Sequence, residues 1–126
     1  MTSMKIKQLQ YETSTLRRLL DFLKDENVHL KYRISEILND RFDKYLLEEV
    51  DGFQTSFIRE DHLIALLRNE ITEVDTMLEK ELPKDEKIMK NVESKLKRLH
   101  KNMHVAEKQF SKLKLEFRKF LSKNIL

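Results

Sequence analysis

Apolar residues return every seven positions over the first third of the chain. Leu9, Leu16, Leu23, Leu30 and Ile37 form one series, and Ile6, Thr13, Leu20, Asn27, Ile34 and Arg41 interleave with it at steps of three and four. That spacing keeps one side of an α-helix facing a neighbour. Leu19, Phe22 and Leu38 widen the stripe, which suits a helix with more than one neighbour. After Ile37 the phase slips to Leu38, Phe42, Tyr45, Leu46 and Val50. The slip reads as a stutter in one long helix or as a break at Asn39-Asp40, with Asp40 capping a new helix. The continuous helix with a local bend is the reading adopted.

Asp51-Gly52 holds the only glycine, just after a periodic segment, where a helix can stop in a left-handed residue. A second helix is then expected from Thr55 or Ser56. Its stripe is Phe57, Ile64, Leu67, Ile71, Val74 and Leu78, broadened by Leu63, Leu66 and Met77. Pro83 disfavours a helical residue before it and suits a first turn after it, and Asp85 and Glu86 complement the positive end of a new helix dipole. The third stripe is the cleanest: Met89, Leu96, Met103, Phe110 and Phe117 alternate with Val92, Leu99, Ala106, Leu113 and Phe120. The pattern therefore predicts helices at about 4–50, 55–82 and 85–122 in one domain spanning 1–126. The fold class is all-α: an antiparallel bundle of three long helices with coiled-coil-like packing, or four helices if the first breaks near Asn39-Asp40.

Composition supports this. One Gly and one Pro in 126 residues exclude a fold with many tight turns. With 37% charged residues and abundant Leu, Lys, Glu and Arg, the chain favours long helices. Without Cys there is no disulfide framework and no thiolate chemistry. "MTSMKIKQLQYE" carries no apolar signal run, and no stretch is long and apolar enough to span a membrane, so the expected location is cytoplasmic.

Charge is uneven although the net is only +3. Residues 40–82 carry five Lys/Arg against twelve Asp/Glu, and residues 83–126 carry thirteen against five. The acidic second helix is expected to lie beside the basic third, each contributing flanking charges.

Candidate chemistry is sparse. Glu26 and His29 make one Glu-x-x-His, but a di-metal bundle needs two such pairs facing inward, and the heptad phase turns His29 outward. His100, His104 and Glu107 have zinc-like helical spacing, but His100 and Glu107 flank the third seam and His104 lies further out. His62 beside Asp61 is adjacency without a nucleophile. One glycine cannot build a phosphate loop. A basic zipper is rejected because no dense basic region precedes the leucine repeat. No catalytic residue, metal, cofactor or small-molecule substrate is expected, and the chain does not read as an enzyme.

The expected function is a structural, adaptor or regulatory protein–protein interaction module. Its partner would be itself, as a homo-oligomer, or another helical protein. The expected interaction seam is Leu16, Leu20, Leu23, Asn27, Leu30, Ile34 and Ile37. An Asn on such a seam fixes register at some cost in stability, so Asn27→Ile should change oligomer state if Asn27 meets its counterpart in another chain. If it meets a polar group of its own bundle, stability should change and assembly mass should not. The alternative is nucleic-acid or anionic membrane-surface binding by Lys90, Lys97, Arg98, Lys101, Lys108 and Lys112 on the third helix.

Overall fold

The computed structural model describes residues 2–40, 43–80 and 86–124. Three helices account for nearly all of them: α1 (Thr2–Asp40), α2 (Lys44–Lys80) and α3 (Glu86–Asn124). Pro83, Asp85, Phe42, Arg41 and Leu82 lie outside the described residues. At ~1.5 Å per residue each helix is nearly 60 Å long, so the bundle is a rod.

Ion pairs show the topology. Arg17, Asp21 and Lys31 meet Asp75, Arg68 and Asp61 in that order, so α2 descends as α1 rises. Lys5–Glu93, Glu12–His100 and Glu26–Lys114 each join positions 88 apart, so α3 runs parallel to α1 in a constant register. The order is up, down, up. Each of these pairs has a member on α1, which differs from the expectation that α2 and α3 would exchange flanking charges.

Two expected boundaries are corrected. The first helix does not run to residue 50; α1 stops at Asp40 and α2 starts at Lys44. The cap is Asp43 rather than Asp40: its carboxylate accepts from Tyr45 N–H (2.9 Å) and its carbonyl from Leu47 N–H (3.0 Å). The second helix does not start at Thr55 or Ser56, because α2 passes through Gly52 without a left-handed residue. Thr55 and Ser56 hydroxyls donate to the carbonyls of Asp51 (3.1 Å) and Gly52 (3.2 Å), the back-bonding of residues inside a helix. Because one break is lost and one gained, the described residues still form three helices.

The core is one continuous cluster down the rod. It takes Leu16, Leu20, Leu23, Ile34 and Ile37 from α1, Val50, Phe57, Ile64, Leu67, Ile71, Val74 and Leu78 from α2, and nine α3 residues from Met89 to Phe120. Leu113 alone of the ten α3 seam positions is half-buried. At one end the rings of Phe53, Phe57, Phe110, Phe117 and Phe120 interlock, with centroids of Phe53 and Phe57 at 5.1 and 5.4 Å from Phe117. Such tilted contacts add to area burial.

Candidate interaction surfaces

The seven seam residues of α1 are covered by the chain's own α2 and α3. All are buried except Leu30, which is half-buried against the core. They close the bundle and leave no seam on this side of α1 open to another chain. Asn27 is the telling case. It is fully buried, and its amide donates to the Phe57 carbonyl (3.0 Å) and to Asp61, which also receives Lys31. Its partners are therefore on α2 of the same chain. Its side-chain oxygen has no hydrogen-bond partner among the described residues. Nearby, Lys114 of α3 reaches Glu26 at 2.6 Å, so a polar belt crosses the middle of the rod.

This arrangement predicts the result of removing Asn27. Phe57 O keeps its place in the helix ladder and Asp61 keeps Lys31, so an apolar replacement orphans little. Asn27→Val, smaller than Ile and less prone to overpacking, is expected to raise unfolding free energy by about 1 kcal/mol with unchanged assembly mass. Denaturant unfolding with parallel light scattering checks both.

Glu60 is another polar residue at a seam position, in the series Leu46, Phe53, Glu60, Leu67 and Val74. It is half-buried, and desolvation raises its carboxyl pKa above the ordinary glutamate value. The folded state thus holds the proton more tightly than the unfolded one. The associated stability is present below the unfolded pKa and lost as pH rises through the raised folded pKa. Glu60→Leu is expected to be more stable than the parent at pH 7, by about 1 kcal/mol from added apolar burial. The advantage should shrink towards pH 4, as thermal melts at the two pH values would show.

Three outward features remain. First, Met4, Tyr11, Phe22 and Tyr32 stand in water on the side of α1 opposite its core stripe; Tyr11, Phe22 and Tyr32 are 64%, 57% and 67% exposed. Leu19 and Leu38 are half-buried against the core, whereas Phe22, expected to widen the same stripe, is mostly exposed. Second, a groove of about 530 Å³ runs between the start of α2 and the end of α3, floored by Phe53, Leu113 and Phe120 and rimmed by Glu49, Glu116 and Lys119. Gly52 opens onto it with nothing within 4 Å of where a Cβ would stand. Third, Lys90, Lys97, Arg98, Lys101, Lys108 and Lys112 are all exposed on α3.

The histidines do not converge. His29, His62 and His104 are exposed, and His100 Nε2 sits 4.0 Å from Glu12. Among the described residues no three His, Asp or Glu side chains are placed to hold a metal ion. No described helix is long and apolar enough to cross a membrane. Comparison with known protein families, curated proteins and solved structures finds no match to this chain.

Proposed function

We propose that this chain is a non-catalytic helical-bundle module that works by protein–protein contact through the outer face of α1. The observation that carries the reading is the apolar stripe of Met4, Tyr11, Phe22 and Tyr32, left in water by a bundle whose core is already closed. Large side chains lined up on one helix face are costly to hydrate, and covering them is the means by which helical modules join. Light scattering at micromolar concentration tests this. The expected mass exceeds one chain, and serine at Tyr11, Phe22 and Tyr32 together returns it to one. An unchanged mass on that replacement would remove the α1 face from the account.

A second reading has its own observation. None of the six basic residues on α3 makes an ion pair with a described residue, and Lys90, Lys97, Lys101, Lys108 and Lys112 follow steps of seven and four along one helix face. Such a stripe supports contact with phosphates of nucleic acid or of an anionic membrane. It requires salt-sensitive retention on nucleic acid or anionic vesicles, lost on reversing Lys97, Arg98 and Lys101 to Glu.

A further inference from the structure

The exposed face of α1 has a symmetry of its own. Tyr11, Arg18, Asp25 and Tyr32 recur at seven-residue steps, and Phe22 lies on the same face between Arg18 and Asp25. Arg18 and Asp25 are both exposed and neither pairs with any described residue, unlike Asp21, which holds Arg68 of α2. Along this seven-residue series, one cation and one anion without a partner among the described residues thus lie between two tyrosines. A point midway between Asp21 and Phe22 lies equally far from Arg18 and Asp25. It lies equally far from Tyr11 and Tyr32.

We propose that two copies of this chain pair as a two-fold homodimer through antiparallel packing of the outward faces of α1. The proposal rests on the protein–protein reading above and names its partner and register. With the two-fold axis at that midpoint, Arg18 of each copy stands opposite Asp25 of the other, and Tyr11 stands opposite Tyr32. The two Phe22 rings, on the same edge of the interface, meet beside the axis. Phe22 is buried by its own counterpart, and both unpaired charges are matched. Displacing the register by one heptad sets Arg18 against Arg18 or Asp25 against Asp25, so charge selects the pairing. A parallel pairing in register sets like against like at both positions.

The fold leaves the approach open. α2 and α3 contact the core side of α1 and its two flanks, as the Arg17–Asp75, Arg68–Asp21 and Glu26–Lys114 pairs show. The stripe lies opposite, so the two bundles sit on either side of the joined α1 helices without clashing. The like-charged Asp21 residues near the axis are each compensated by Arg68 of their own chain. An isologous contact of this kind closes on itself and gives a dimer rather than a filament.

The chain contains no cysteine, so single-cysteine variants report without interference. Under a mild oxidant Phe22→Cys is expected to give a disulfide-linked dimer in high yield, while Lys97→Cys on α3 stays monomeric. Sedimentation equilibrium is expected to show a monomer–dimer system in the parent. Arg18→Asp and Asp25→Arg each weaken it about tenfold, because symmetry applies the change twice. The double charge swap, which restores opposite charges across the axis, recovers the parent constant. Equal cross-linking of Phe22→Cys and Lys97→Cys would overturn the proposal, as would a double swap no tighter than the single variants. A parent monomeric at its highest soluble concentration would overturn it as well. If the serine replacement of Tyr11, Phe22 and Tyr32 dissolves an assembly that the charge variants leave intact, the antiparallel register fails while the α1 interaction face stands.

Discussion

Phe57→Ala is expected to lower unfolding free energy by about 3–5 kcal/mol, the range for emptying a large aromatic site in a packed core. Phe57 is fully buried and its ring abuts Phe110 and Phe117, so the void opens among the interlocked rings of α2 and α3. The Phe117 ring can fill it only by leaving contacts of its own with Phe53 and Phe120. The polar belt is spared, because the group that Asn27 bonds is the backbone carbonyl of Phe57, which alanine retains. The loss therefore measures packing alone. Small domains are stable by only ~5–15 kcal/mol, so the variant should unfold at much lower denaturant by circular dichroism. Phe22→Ala, which removes an exposed ring, is expected to stay within about 0.5 kcal/mol when measured on the monomer. Equal effects at the two sites would mean that the assignment of inside and outside is wrong.

Gly52 gives the second large effect, in two directions. It lies in the interior of α2 with open space around its missing Cβ. Gly52→Ala is expected to stabilise the fold by up to about 1 kcal/mol, because alanine restricts the unfolded chain and suits a helix. Gly52→Pro is expected to cost about 3 kcal/mol or more, because the ring deletes a helix donor and clashes with the preceding turn. A turn glycine with positive φ would reverse the first result, since alanine would be strained there. A pair of melting curves separates the two conformations of this position.

Most of the fold is legible in the residues, and the errors have a physical cause. All ten α3 seam residues were read correctly as core-facing because nothing interrupts their steps of three and four, and only Leu113 is less than fully covered. Gly52 misled because a single glycine was weighed as a stop signal against the apolar spacing around it. That spacing runs through Leu46, Val50, Phe53, Phe57, Ile64, Leu67, Ile71, Val74 and Leu78, straight across residue 52, with Glu60 its one polar member. A helix interior tolerates glycine at a cost of about 1 kcal/mol, far less than the burial of such a stripe returns. The real break was marked by the phase slip after Ile37, with Asp43 as an available cap two residues before Tyr45. The position of that break decides which α2 residues face α1. The burial of Asn27 was therefore legible, but its partners Phe57 and Asp61 were not.

The surface was less legible for a related reason. Tyr11, Phe22 and Tyr32 look like scattered apolar residues until the α1 core face is fixed and its opposite side identified. Arg18 and Asp25 stand out only once Lys5, Arg17, Asp21, Glu26 and Lys31 have found partners on α2 and α3.

The central claim is that the core closes within one chain and that association uses the opposite side of α1. The most direct measurement is the denaturant midpoint of the variant with serine at Tyr11, Phe22 and Tyr32, taken over a hundredfold range of protein concentration. Unfolding coupled to dissociation makes the midpoint depend on concentration, whereas unfolding of a closed monomer does not. The account predicts a cooperatively folded, helical monomer with a constant midpoint. A midpoint that falls on dilution, or a monomer without helix, would show that Leu16, Leu20, Leu23 and Ile34 need a second chain to cover them, and would contradict it.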